Sequence, residues 1–388
     1  MGGFQRSIDD DELYANRTLA GEETPFLVID LDILERNLRR MALRMRKLGV
    51  GLRPHFKTHK SHEIVEIQRE LKAVGLTVAT VTELASAGEV CRDITVAFPL
   101  NLSRLYRMAY RLKEQTLRLL VDSPEAIDAL ESLAAKEDCT IHTWLEVDCG
   151  YHRSGVDPAG SHGVDLATRI ARSKRLTFDG ILTHAGQAYA CRSRDELLAA
   201  AEHERRVMVD YAERLRSEGL DVPGVSLGST PTMSVVENLD GITEVRPGNY
   251  VFYDHAQVQI GSCTVKDCAL TVMATVVSSQ PGSGQSVIDA GAIALSKDPG
   301  PQPPAPGVPR PCFGRLYVDY AAGELDPDVW VTSVSQEHGI VNAELPVGSR
   351  VRILPNHACL VVPNYQGYTV VRGEEIVCWG GIRHEAYD

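Results

Sequence analysis

The 388-residue chain predicts an α/β fold, a (β/α)8 barrel followed by a mainly antiparallel β domain. Three observations carry this reading. Short β-type runs alternate with amphipathic stretches at helical spacing through the first two-thirds of the chain, the pattern of a parallel sheet with crossover helices. After about residue 262 the helical patterns stop while short, β-branched runs continue. The length also exceeds that of an ordinary single domain, so a large domain with a smaller companion is the natural division.

The strand runs lie near residues 51–56, 76–80, 94–98, 117–121, 141–147, 178–184, 223–228 and 243–246. Between them fall helical patterns such as Ser103–Lys113, Pro124–Lys136 and Arg194–Ser217. The second of these starts with Ser123, Pro124 and Glu125: an N-cap, a proline at the first helical position and an acid in the first turn. Eight parallel strands close a barrel, here assigned to residues 30–262. Beyond it, Leu270–Ser278, Val287–Asp289, Leu316–Asp319, Val329–Val334, Arg350–Leu354 and Tyr368–Val371 predict a β domain over residues 263–388. Phe26–Asp30 is expected to pair with that domain, so residues 1–29 are grouped with it. Seven prolines fall in the thirteen residues Pro299–Pro311. With β-runs on both sides, they read as a long loop inside the second domain and not as a linker between domains.

The net charge of −12, from 52 acidic against 40 basic residues, and the lack of a dense Lys/Arg block argue against nucleic acid or anionic membranes as partners. Any anionic cofactor must be held by a local arrangement. Met1 to Glu23 is polar and acidic, without a signal-peptide pattern, and no apolar run approaches bilayer-spanning length. Nine scattered cysteines fit free thiols in a reducing compartment. The expected location is cytoplasmic.

The densest chemical cluster is Arg53, Pro54, His55, Phe56, Lys57, Thr58, His59 and Lys60, closing the first barrel strand, where a barrel gathers its active-site groups. Partial burial and nearby cations there make a lysine a competent imine former. Glu146, Val147, Asp148, Cys149, Gly150, Tyr151, His152, Arg153, Ser154 and Gly155 place an arginine between glycines, so the backbone can approach a ligand that the cation reaches. His184, Ala185, Gly186, Gln187, Ala188 and Tyr189 set an aromatic at a barrel mouth, suited to a planar cofactor. His184 is open between a core and a ring-facing histidine. Ser226 to Thr232 supplies hydroxyls, Gly228 and amides at a helix start, an anion cradle. Arg246, Pro247, Gly248, Asn249 and Tyr250 form a second glycine turn, and phosphate sites commonly lie at the last two strands of such barrels. In the β domain, His357 and Cys359 stand at i and i+2, which share a face if the segment is a strand. Imidazole with thiolate favours zinc.

Thr24, Pro25 and Phe26 through Asp30, followed by the Arg53–Lys60 run and the later motifs in the same order, resemble the alanine-racemase-like (fold-type III) pyridoxal-phosphate enzymes. More closely, they resemble the D-serine dehydratase and D-threonine aldolase branch, over nearly the whole chain. The resemblance implies that Lys57 carries pyridoxal 5'-phosphate covalently and that Arg153 contacts its phenolic oxygen. It further implies Tyr189 in the cofactor pocket, with Gly228, Ser229, Thr230, Gly248, Asn249 and Tyr250 around the phosphate. His357 and Cys359 then bind a catalytic divalent metal, zinc by preference with manganese as the alternative, and the enzyme is expected to be a homodimer. It gives no role to His184, Asp289 or His338.

The reaction so implied acts on a D-β-hydroxy-α-amino acid. Elimination to a 2-oxo acid and ammonia is placed ahead of retro-aldol cleavage to glycine and an aldehyde. A racemase would need a second base, often a tyrosine from the β domain, and Ile288 to Leu295 contains none. A non-catalytic cofactor-binding protein of this superfamily is typically a barrel alone.

Overall fold

A computed structural model describes residues 18–302 and 304–384. Residues 1–17 of the predicted N-terminal extension to the β domain lie outside these. The described chain separates into two compact units. One takes the residues up to Arg40, Thr58–Ile67 and Asn249–His384; the other takes Met41–Lys57 and Gln68–Gly248.

The second unit contains eight parallel strands, β2 (Gly51–Leu52), β3 (Leu76–Val78), β4 (Asp93–Val96), β5 (Thr116–Val121), β6 (Ile141–Glu146), β7 (Leu176–Leu182), β8 (Gly224–Leu227) and β9 (Glu244–Val245). Their order in space is β2-β9-β8-β7-β6-β5-β4-β3. A parallel bridge between His55 and Thr77 then joins the end of the first strand to β3 and closes the ring. All eight strands fall at the expected runs. They are short because most crossovers return through a helix that covers the outer face, so each strand needs only enough length to reach the mouth.

The helices follow their end signals. Pro124–Glu137 is capped by the Ser123 hydroxyl, which accepts from the Ala126 N–H at 3.3 Å. Arg194–Ser217 has Ser193 in the same role on Glu196 at 3.2 Å. On the latter helix Leu197, Ala201, Glu204, Met208, Tyr211 and Leu215 form one buried stripe at alternating steps of three and four. A glutamate in that stripe is out of place on packing grounds alone. The helical pattern at Ser103–Lys113 becomes a 3-10 segment, Leu102–Met108, that runs into one α-turn, Ala109–Leu112.

Charges also organise the barrel. Arg53 is buried and donates Nε to Glu244 at 2.8 Å and Nη1 to Asp93. Asp93 also accepts from Arg118, whose Nε donates to Asp179 at 2.7 Å. Arg53 thus belongs to the barrel's own ion-pair network. Removing one partner of such a buried pair costs about 3–5 kcal/mol.

The first unit is built on β1 (Phe26–Asp30) and β10–β17: Leu270–Ser279, Ser286–Ile288, Gly314–Asp319, Glu324–Val334, Gly339–Val341, Arg350–Pro355, Gly367–Arg372 and Glu375–Gly381. The order β11-β14-β13-β12-β15-β10-β1-β16-β17, with β11 also pairing β10, closes a small barrel and leaves β1, β16 and β17 as an extension. Phe26–Asp30 pairs as expected, antiparallel to β10 and parallel to β16. Val28, Met273, Val371 and Ile376 pack together beneath it. Two strands escaped the sequence, Gly339–Val341 and Glu375–Gly381. The first is three residues long, and the second holds two glycines and an exposed Trp379. No described helix is long and apolar enough to cross a membrane.

Candidate active site

In the barrel unit, Phe56–Thr58 is a 3-10 turn just beyond β2. It is fixed from behind: Thr77 N–H donates to Pro54 O at 2.9 Å and His55 N–H to Pro247 O at 3.0 Å. Lys57 is exposed where its neighbours Phe56 and Thr58 are buried, so the partial burial expected of it is absent. A second group of residues, Glu146, Val147, Asp148, Tyr151, Arg153, Ser154 and His184, lines a small cavity. Arg153 is exposed, with its guanidinium carbon 5.4 Å from the centroid of the Tyr151 ring. Tyr151 meets His184 edge-on at 6.1 Å between ring centroids. Gly186 permits that placement, since a Cβ there would lie 2.3 Å from the Tyr151 ring.

Electrostatics mark this region as cationic. Burial drives the His184 pKa down to about 3, and the charges of Lys57, Arg153 and Arg246 act in the same direction. His184 is therefore a neutral imidazole facing the Arg153 cavity. Arg246, fully buried, is itself pushed down to about 10 by desolvation against the attraction of Glu244, Glu204 and Glu146. It donates Nε to Ser226 Oγ at 2.8 Å and Nη2 to Thr183 O. Glu146 is held above the usual carboxylate range by burial; its Oε1 accepts from Ser154 Oγ at 2.9 Å, while Oε2 is buried without a partner. Three cations of one unit at one barrel mouth fit a cofactor that carries a phenolate and a phosphate.

The turn after β8 is shaped by its glycine and by Glu204. Gly228 has φ +95°, a conformation other residues rarely adopt. Glu204 Oε1 accepts from Gly228 N–H at 3.0 Å and from Ala185 N–H at 3.3 Å. One buried carboxylate therefore ties together the turns after β7 and β8. Ser229 N–H is given to Thr232 Oγ1 at 3.1 Å. Those two amides are engaged, and the Ser229 hydroxyl lies 3.2 Å from Thr232 Oγ1. Tyr189 lies in the 3-10 turn Gly186–Ala190, and Gly248 ends the barrel unit.

In the β unit, His357 and Cys359 come together by a route other than the expected strand. β15 stops at Pro355, His357 caps a short helical turn, Ala358–Val361, and Cys359 stands inside that turn. The Cys359 thiol is near enough to the imidazole to help hold its pKa above the ordinary value. Asp254 accepts from Ala358 N–H at 2.9 Å and from Asn249 Nδ2 at 2.6 Å. Asn249 Nδ2 also lies 3.8 Å from Cys359 Sγ, so its side chain turns to this pair. Thr58 Oγ1 is 3.2 Å from the same sulfur, and Thr58 follows Lys57 in the chain. Among the described residues no cluster of three or more His, Cys, Asp or Glu assembles for a metal. An imidazole and a thiol presented by one short turn offer an ion two ligands of the kinds that zinc takes and leave its other positions open. Tyr250 is fully buried.

Of the groups without an expected role, Asp289 has a structural one. Asp289 accepts from Thr24 Oγ1 at 2.5 Å and from Thr275 N–H at 2.8 Å, fastening the start of β1 to β10. His338 sits in an exposed turn, Ser335–His338, against which Gly291 packs.

The alanine racemase N-terminal domain model matches residues 29–256, and the model described as a putative serine dehydratase domain matches residues 269–371. The D-threo-3-hydroxyaspartate dehydratase of Delftia sp. (strain HT23) is 38% identical over 375 residues, 92% of this chain and 96% of its own. The chain belongs to this family of pyridoxal-phosphate-dependent lyases. A D-serine dehydratase of Dictyostelium discoideum is 33% identical over 90% of this chain and 94% of its own, and a D-threonine aldolase of Arthrobacter sp. 28% over 91% and 90%. A solved D-threo-3-hydroxyaspartate dehydratase, a cysteine-to-alanine variant in the metal-free form, superimposes with a TM-score of 0.87 at 36% identity, covering 96% of this chain and all of that one. For a member of the family, residues the sequence did not single out stand close to its motifs: Glu204 under the Gly228 turn and Asp254 beside the His–Cys turn. Glu204 had a sequence signal, a carboxylate in an apolar helical stripe. Asp254 had none, being 103 and 105 positions from the residues it organises.

Proposed function

We propose that the protein is a pyridoxal-phosphate- and divalent-metal-dependent lyase that eliminates water from a D-β-hydroxy-α-amino acid, giving a 2-oxo acid and ammonia. The observation that carries this is that one short helical turn presents both His357, at its cap, and Cys359, whose sulfur lies 3.2 Å from Oγ1 of Thr58, the residue next to Lys57. The dehydratases are also more similar to the chain than the aldolase is, 38% and 33% against 28%. In this reading residues 30–262 hold the cofactor, and residues 263–388 with the N-terminal segment carry the metal. The two family matches support that division.

When bound, pyridoxal phosphate supplies a sink for the electrons released at Cα, and the metal, zinc in this reading, a Lewis acid for the β-oxygen. Lys57 holds the cofactor through its ε-amine. When not engaged in holding the cofactor, Lys57 Nζ would accept the Cα proton. Arg153 fixes the phenolic oxygen, Tyr189 borders the ring, and His184, kept neutral, adds no charge beside it. Ser229 and Thr230 of the Gly228 turn, with Gly248, Asn249 and Tyr250, would meet the phosphate. His357 and Cys359 hold the ion. The Cα proton and the β-hydroxyl leave as water, and hydrolysis of the resulting enamine and its imine tautomer returns that water to give oxo acid and ammonia. Homodimerisation and a cytoplasmic location complete the reading. All nine cysteines are free thiols, which supports a reducing compartment.

Product analysis tests it. With D-serine, D-threonine and D-3-hydroxyaspartate supplied separately, 2-oxo acid and ammonia are expected in equal amounts. Glycine and acetaldehyde from D-threonine, with no oxo acid from any substrate, would move the assignment to the aldolase. Equal turnover of the L-isomers would contradict both.

A further inference from the structure

The imidazole of His357 has a partner outside its own motif. Nδ1 lies 3.2 Å from Asp298 Oδ2, and both side chains are largely buried, at 29% and 23% exposure. Asp298 is itself held on three sides. Its N–H donates to Ser296 Oγ at 3.2 Å, its Oδ1 accepts from Gly300 N–H at 2.8 Å, and its carbonyl accepts from Asn356 Nδ2 at 2.9 Å. Asn356 Nδ2 donates also to Cys312 O at 2.7 Å. The side chain just before His357 therefore pins both ends of the proline-rich segment 299–311, and that segment begins at the carboxylate facing His357.

An imidazole that gives its Nδ1 hydrogen to a carboxylate has only Nε2 left to offer a metal. A carboxylate in that position also fixes the plane of the ring and raises its basicity as a ligand. We propose that Asp298 is a positioning residue of the metal centre, selecting Nε2 of His357 as the metal-binding nitrogen. The proline-rich segment serves to hold that carboxylate in place. Its prolines suit the task because each fixes φ and lowers the entropy lost on ordering the loop. The inference rests on the reading that His357 and Cys359 bind a divalent ion, and its test separates the two.

Full-length protein carrying its cofactor is stripped of metal and titrated with zinc against a chromophoric chelator. The zinc-loaded form, labelled with 15N at histidine, is examined for which His357 nitrogen bears hydrogen, the resonance being assigned by its loss in His357→Ala. In the wild type Nδ1–H and a zinc-bound Nε2 are expected. Asp298→Ala should weaken zinc binding by about 10- to 100-fold, and Asp298→Asn, which keeps an accepting oxygen, by less. Zinc affinity unchanged in Asp298→Ala, when His357→Ala has lost it, overturns the role of Asp298 and leaves the metal site standing. Zinc affinity unchanged in His357→Ala overturns the metal site itself. Hydrogen on Nε2 in the zinc-loaded wild type refutes the proposal even if Asp298→Ala does not fold.

Discussion

Lys57→Ala is expected to lower turnover by at least about 10³-fold, within the range that loss of a positioned general base produces and with the covalent anchor lost in addition. The fold should not suffer. Lys57 is exposed in the middle of a 3-10 turn whose other residues are buried, and substitutions at such surface positions usually change stability by less than about 0.5 kcal/mol. Thermal unfolding of the variant should therefore match the parent while steady-state activity is almost gone. Cofactor should still associate, because the Arg153, Ser229 and Thr230 side chains are untouched, but it should wash out on dialysis. Activity within tenfold of the parent would remove Lys57 from the chemistry.

The second large effect concerns the proposed metal. A Lewis acid contributes several kcal/mol of charge stabilisation at a leaving oxygen, so chelation should cost about 10³-fold in kcat with the cofactor's absorption band little changed. His357→Ala should behave as the chelated enzyme does and fail to recover on addition of zinc. Cys359→Asp should recover, with manganese now preferred over zinc, because a carboxylate replaces a soft ligand by a hard one. The thiolate site should be selective in the opposite sense. Full activity of a chelated, metal-analysed preparation would take the ion out of the mechanism.

Much of this architecture was legible because it rests on local signals. The β-runs and helix caps are written within a few residues of where they act: Ser123 and Ser193 cap the helices they precede. Glycine turns such as Gly228 are visible for the same reason. Side-chain contacts between residues far apart in sequence were not legible, although the pairing of Phe26–Asp30 with the β domain was. The two missed strands of the β unit owe their pairing to neighbours already in place more than to propensity. The metal pair shows a subtler limit. His357 and Cys359 were expected to meet as i and i+2 on one strand, and they do meet, but across a cap and a short helical turn. Asp254 and Asp298 stand far from the motif in sequence and reach it only through tertiary folding. Lys57 illustrates the reverse case. Its run was expected as a whole to serve the cofactor, yet Arg53 in it serves the barrel's ion pairs with Glu244 and Asp93.

The central claim is that Lys57, in the turn after the first barrel strand, carries the cofactor. Reduction of the purified protein with borohydride, followed by proteolysis and mass mapping, tests it in one step. The phosphopyridoxyl mass is expected on the peptide containing Lys57, at close to one equivalent per chain. Its appearance on Lys60 or Lys72, or on no lysine of a preparation that is active, would contradict the assignment.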